Sequence, residues 1–189
     1  MMTESIRAFI AAELPDNIIA DLRLLAKDIR DLGINARWVR PENIHITLKF
    51  LGEINPAVIE KTGNVLRETA GEYTPIKLKA KGMGVFPGIK RPRVIWAGLS
   101  EQTGKLIEMQ KTLEENLEFS GFPRETRAFK AHLTIGRIKG RSDPNKILKA
   151  IQESSHFMTV TFNIDRITLF KSELKPTGAV YTRLISAAL

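Results

Sequence analysis

From Asn43 to Phe50 apolar and polar residues alternate, with Ile44, Ile46, Leu48 and Phe50 on one parity and His45, Thr47 and Lys49 on the other. Period two marks a strand with one buried face. A strand is therefore predicted over Ile44 to Leu51, paired with Arg37 to Val39 through the turn-rich Pro41-Glu42-Asn43. Elsewhere the apolar positions step by three and four. Ile18, Leu22, Leu25, Ile29 and Leu32 predict a helix opened by Pro15-Asp16 and closed at Gly33. Three more helices are predicted over Pro56 to Thr69, Gln102 to Leu117 and Pro144 to Ser154. Strands are predicted over Ile6 to Leu14, Ile76 to Phe86, Arg93 to Leu99 and Phe129 to Ile138, with extended runs at Met158 to Phe170 and Val180 to Ser186. Lys171 to Gly178, rich in charge, Pro and Gly, reads as a turn or loop between the last two. Helices alternate with hairpin-like strand pairs, which points to antiparallel sheets and an α+β fold rather than a doubly wound one.

The pattern repeats. His45-Ile46-Thr47-Leu48 returns as His132-Leu133-Thr134-Ile135, 87 residues later. Other features recur at about that offset. Phe9 to Leu14 matches Val94 to Leu99, Asn55-Pro56 matches Asp143-Pro144, and Met83 to Phe86 matches Ile167 to Phe170. Each Asx-Pro pair is a helix start, with the Asx as N-cap and Pro in the first turn. The chain thus reads as one domain over residues 1–189 built of two similar halves, each lending a His-x-Thr strand to a shared cleft.

Composition narrows the chemistry. No cysteine is present, so disulfide scaffolds, thiolate metal sites and cysteine nucleophiles are excluded. Met1 to Leu14 has neither the length of a membrane span nor the layout of a signal peptide, and a cytoplasmic monomer is the expectation. The net charge of +8 favours an anionic partner such as nucleic acid.

Two of the three histidines lie in the repeated motif. Same-face residues on a strand are about 6.5 Å apart, so each His-Thr pair can touch different atoms of one ligand. In-line attack on a phosphodiester needs a base on the nucleophile and an acid on the leaving oxygen. An imidazole with pKa of roughly 6.5 serves either role. Thr47 and Thr134 are the candidates to hold the non-bridging oxygens. Lys49 shares the parity of His45. Arg137 is on the wrong parity from His132 and reaches the cleft only if the strand bulges at Gly136 or ends there. Arg91, Arg93, Arg124, Arg127 and Lys130 are candidates to steer a polyanion, and Trp38 or Phe129 to stack on a base. A zinc site built from His45, His132 and His156 is disfavoured, because the ligands lack local spacing and have no Cys or Glu partners. Two non-phosphoesterase readings compete: hydrogen-bonded strand histidines of a duplicated fold, and a basic RNA-binding module whose cleft only holds phosphate.

Trp38-Val39-Arg40-Pro41-Glu42-Asn43-Ile44-His45-Ile46-Thr47-Leu48-Lys49-Phe50-Leu51-Gly52 and Phe129-Lys130-Ala131-His132-Leu133-Thr134-Ile135-Gly136-Arg137 resemble the two signatures of the two-histidine phosphoesterase superfamily. Within it the likeness is to the RNA 2′,3′-cyclic phosphodiesterases, long called 2′-5′ RNA ligases. The resemblance implies a bilobal pseudo-symmetric fold, two antiparallel sheets lining a central cleft with helices outside, and no cofactor or metal. It implies hydrolysis of RNA 2′,3′-cyclic phosphate ends, tRNA fragments among them, to a 2′-phosphomonoester, with 2′-5′ ligation as the reverse reaction. His45 is then the proton donor to the departing 3′ oxygen and His132 the base that activates water. Thr47 and Thr134, with Lys49 and Arg137, are the implied substrate contacts. Lys130-Ala131 departs from the pattern, since many relatives carry Pro before the second His. A phosphodiesterase for a small cyclic nucleotide, such as an ADP-ribose cyclic phosphate, is the rival within the same chemistry.

Overall fold

The computed structural model describes residues 5–176 and 178–189. The first four residues of the Met1 to Leu14 segment, and Thr177 of the Lys171 to Gly178 segment, lie outside the described residues. In chain order the elements are β1 (Ile6–Ala12), α1 (Asp16–Asp31), β2 (Ala36–Trp38), β3 (Ile46–Ile54), α2 (Ile59–Gly71), β4 (Ile76–Phe86), β5 (Val94–Glu101), α3 (Thr103–Phe119), β6 (Leu133–Ile138), α4 (Pro144–Glu153), β7 (Phe162–Ile164), β8 (Arg166–Lys175) and β9 (Gly178–Ala188). Short 3-10 turns at Pro41–Asn43, Pro56–Val58 and Ser154–His156 complete the described chain. All four helices fall where the apolar steps of three and four put them. Both Asx-Pro starts are caps: the Asn55 side chain accepts from the Ala57 amide at 2.9 Å, and Asp143 from the Asn145 amide at 2.9 Å.

Two antiparallel sheets form, one ordered β3-β1-β8-β9 and the other β2-β6-β5-β4-β7. The internal repeat is visible in these orders. β1 lies between the first motif strand β3 and β8, and β5 lies between the second motif strand β6 and β4. Each sheet therefore combines strands from both halves of the sequence, with β4 and β8 exchanged between them. The exchange ties the lobes together. Helix α2 packs on β8 and β9 and against α3, while α1 and α4 pack on the other sheet. One large core of buried Ile, Leu, Val, Ala and Met side chains runs between sheets and helices.

Three expectations change. The ladder between β1 and β3 slips twice: Ala11 faces Thr47 but Ile10 faces Lys49, leaving Leu48 as an extra residue, and a second slip follows before Gly52. A one-residue bulge inverts the side-chain parity beyond it. Lys49 consequently turns to the core side and is only 7% exposed, while Phe50, expected in the core, is 63% exposed on the face of Phe9. Secondly, the strands begin at Ile46 and Leu133, so both motif histidines stand at the strand entrances. Thirdly, most of the segment expected to be a loop over Lys171 to Gly178 is strand. Ser172, Glu173, Leu174 and Lys175 ladder with Tyr181, Val180, Ala179 and Gly178, because side chains on a hairpin that projects into solvent need not be apolar.

Candidate active site

His45 is fixed from behind. Its Nδ1 lies 2.8 Å from the carbonyl oxygen of Asn43, two residues back in the 3-10 turn at Pro41–Asn43. His132 repeats the arrangement, with Nδ1 2.6 Å from the carbonyl oxygen of Lys130. A carbonyl only accepts, so in each neutral ring Nδ1 carries the proton and Nε2 is left as the working nitrogen. The Asn43 amide in turn donates from Nδ2 to the carbonyl of Ala179 at 2.8 Å, which pins the turn to β9 and brings Tyr181 beside His45.

Around His45 lies an aromatic floor. The imidazole stacks on Phe9 at 4.9 Å between ring centres, and Tyr181 meets it edge-on at 5.4 Å. Phe9 stacks in turn on Phe170 at 5.2 Å. This enclosure pushes the His45 pKa down to about 4, mainly because burial penalises the charged ring. Its carbonyl partner and the Glu13 carboxylate oppose that shift, and the charges of Arg137 and His132 add to it. Burial also raises the Tyr181 pKa, against the nearby guanidinium groups of Arg137 and Arg7. His132 is more open and has one aromatic neighbour, Phe86, edge-on at 5.1 Å. Phe86 packs against Trp96 at 5.0 Å, and Trp96 pairs across the ladder with Thr134.

Arg137 does reach this space. Trp96 faces Thr134 while Ile95 faces Gly136, so Ile135 is an extra residue in β6. That bulge returns Arg137 to the face of Thr134, and its charge is felt at both His45 and Tyr181. On the first lobe Thr47 shares the face of Ala11, between Phe9 and Glu13. His45, His132 and Arg137 are thus near enough for the charges of the last two to act on His45, and Thr47 and Thr134 lie on the ladder faces of Ala11 and Trp96. Lys49 does not join them. Its ammonium binds Glu114 and donates to the Pro123 carbonyl at 2.7 Å, on the reverse side of β3.

Of the other cations, Arg124 pairs with Glu115 and Glu118, Arg127 pairs with Glu125, and Lys130 sits over the Phe86 ring at 5.5 Å. Trp38 carries the Arg30 guanidinium at 5.4 Å and packs on Gly136, and Phe129 is packed against the core. His156 is exposed on the turn after α4. Among the described residues no group of three or more His, Asp or Glu side chains is placed to hold a metal ion.

A family model described as LigT like Phosphoesterase matches this chain twice, over residues 13–96 and 98–181. The chain belongs to the LigT-like phosphoesterases. Each match holds one His-x-Thr motif, as the repeat requires. This LigT-like phosphoesterase is 31% identical over 177 residues to the RNA 2′,3′-cyclic phosphodiesterase of Methanothermobacter thermautotrophicus, covering 94% of the chain and 95% of the relative. It is 35% identical over 183 residues to the enzyme of the same name from Aquifex aeolicus, covering 94% of both. Its fold matches the crystal structure of TT0787 of Thermus thermophilus with a TM-score of 0.80 at 25% identity, over 97% of this chain and 98% of that one. It also matches that of Escherichia coli LigT in apo form with a TM-score of 0.71 at 23% identity, over 98% of each. No helix among the described residues is long and apolar enough to cross a membrane.

Several site residues carried no motif. Phe86 lay in a repeated segment, but only the sheet order shows that the repeat delivers an aromatic ring to a histidine. Tyr181 comes from β9, Glu13 lies in a repeated segment whose counterpart carries Gly98, and Asn43, inside the first signature, acts through its backbone carbonyl and one side-chain hydrogen bond.

Proposed function

We propose that the protein hydrolyses 2′,3′-cyclic phosphate at RNA ends to a 2′-phosphomonoester, with His45 and His132 as acid and base. The observation that supports this reading is a pair of imidazoles, the charge of one acting on the other, each with Nδ1 tied to a carbonyl and Nε2 left to exchange a proton. Water attacks phosphorus as His132 Nε2 takes its proton, while His45 Nε2 protonates the departing 3′ oxygen. One P–O bond forms, one breaks, and solvent exchange resets both rings. Thr47, Thr134 and Arg137 hold the non-bridging oxygens as charge accumulates there. With the 5′ hydroxyl of a second RNA in place of water, His132 takes the hydroxyl proton as the P–O5′ bond forms, and His45 protonates the 3′ oxygen as the P–O3′ bond breaks, which leaves a 2′-5′ diester and accounts for ligation.

His45 is neutral near pH 7 in the ligand-free protein, since its pKa is lowered to about 4. A cyclic phosphate anion entering beside the ring supplies negative charge that favours the imidazolium. Loading of the acid proton is therefore coupled to substrate binding.

The test is a short RNA ending in 2′,3′-cyclic phosphate, incubated in EDTA with wild type, His45→Ala and His132→Ala, with the product ends mapped. A 2′-phosphate made by wild type and lost in both variants supports the reading. RNA bound without turnover by wild type sinks it in favour of a binding role, and turnover confined to mononucleotides moves the substrate to a small cyclic nucleotide.

A further inference from the structure

Lys49 and Glu114 are the most deeply buried charged pair described, 7% and 6% exposed. The Lys49 ammonium contacts Glu114 and donates to the Pro123 carbonyl at 2.7 Å. Glu114 Oε1 also accepts from the Glu125 amide at 2.6 Å, and Oε2 from Gln110, whose Nε2 donates as well to the Leu48 carbonyl. Two ion-pair partners therefore grip backbone at both ends of a short segment, Pro123 to Glu125, and fasten it to β3 two residues beyond Thr47. That segment begins the link from α3 to the second motif. The link ends at Lys130, whose carbonyl holds His132 Nδ1.

Stability alone does not call for such a pair, because well-packed apolar residues of similar volume generally serve a buried site as well or better. An apolar pair would not bind the Pro123 carbonyl or the Glu125 amide. The polar pair thus does something a hydrophobic contact could not: it fixes the direction of a loop that crosses from the lobe of His45 to the lobe of His132.

We propose that Lys49 and Glu114 form a positioning pair that sets His132 against His45 by anchoring the loop entering the second motif to the strand of the first. The proposal rests on the reading that both imidazoles act on one phosphate. Small displacements of a reacting group lower rates about 10²-fold, so the pair controls turnover while leaving the phosphate contacts in place.

With Glu125→Ala, which removes only the side chain that pairs with Arg127, as a control that keeps the wild-type kcat, the test uses Lys49→Met/Glu114→Leu, which removes both charges at similar volume, and Glu125→Pro, which also deletes the anchored amide. Both are expected to lower kcat on cyclic-phosphate RNA by about ten- to hundredfold with KM nearly unchanged, and to speed amide exchange from Glu125 through His132. Ile147→Ala in α4, chosen to match the loss of thermal stability, keeps the wild-type kcat. Wild-type kcat in Glu125→Pro overturns the proposal, as does a double variant whose kcat falls no further than that of Ile147→Ala. If wild type does not turn over this RNA, the functional reading fails by itself. Loop exchange and the His132 ring resonances, which need no substrate, then decide the positioning role: unchanged values in both variants refute it.

Discussion

His45 and His132 occupy equivalent places in the repeat, with the same carbonyl two residues back holding Nδ1, yet their surroundings differ. His45 is enclosed by Phe9 and Tyr181 and neutral down to about pH 4, while His132 lies open beside Phe86. In the proposed mechanism the duplication supplies two interchangeable acid-base groups. Their labour is divided, in that mechanism, by packing that the repeat does not copy: β7, beside β4 where β9 lies beside β8, is a strand of three residues, and it is β9 that brings Tyr181 to a histidine. A symmetric pair would make donor and acceptor exchangeable. In the proposed mechanism the asymmetric enclosure instead makes one proton conditional on an anion and leaves the other ring open to the solvent that supplies the nucleophile.

The largest effect should come from deleting either ring. His45→Ala and His132→Ala are each expected to lower kcat/KM on cyclic-phosphate RNA by about 10²- to 10⁴-fold. Steady-state assays at pH 7 check this, and a loss confined to one variant would show that a single histidine suffices. Next come the hydroxyls: Thr47→Val and Thr134→Val, measured in the same assay, should each cost about 10²-fold in kcat if they hold the charge that builds on phosphorus. A rise in KM with kcat intact would instead mean ground-state binding.

The burial of His45 predicts a pH dependence of stability. An unfolded imidazole titrates near pH 6.5 and the native one at about 4. Between these values the unfolded chain binds a proton that the native protein does not, so native stability rises with pH across this window and is lost on acidification. The effect is up to about 3 kcal/mol. Denaturant unfolding at pH 4.5 and 7.5 should show it in wild type and largely abolish it in His45→Gln; equal slopes would mean that the ring is not enclosed in solution. A smaller loss, about 1 kcal/mol, is expected for Asn43→Ala, which removes the amide bond to the Ala179 carbonyl. Thermal melts read that difference.

Much of this was legible in the chain. Helix positions followed from apolar steps of three and four, and the repeat of His45-x-Thr47 at His132-x-Thr134 marked the two halves that the family model matches separately. The limits lie where strand parity breaks. A bulge at Leu48 sent Lys49 into the core and Phe50 outward, and a bulge at Ile135 brought Arg137 in. Neither is encoded by alternation, since a bulge is fixed by the partner strand. Tyr181 joined the site only through pairing with β8, a tertiary fact. Charge and Pro made Lys171 to Gly178 look like a loop, although a hairpin outside the core tolerates both.

The division of labour between the two rings is tested most directly by an RNA end in which the bridging 3′ oxygen of the cyclic phosphate is replaced by sulfur. A thiolate leaves without protonation. His45→Ala should then recover most of its deficit while His132→Ala remains as slow as on the oxygen substrate. Recovery in His132→Ala and not in His45→Ala would contradict the account and exchange the two roles.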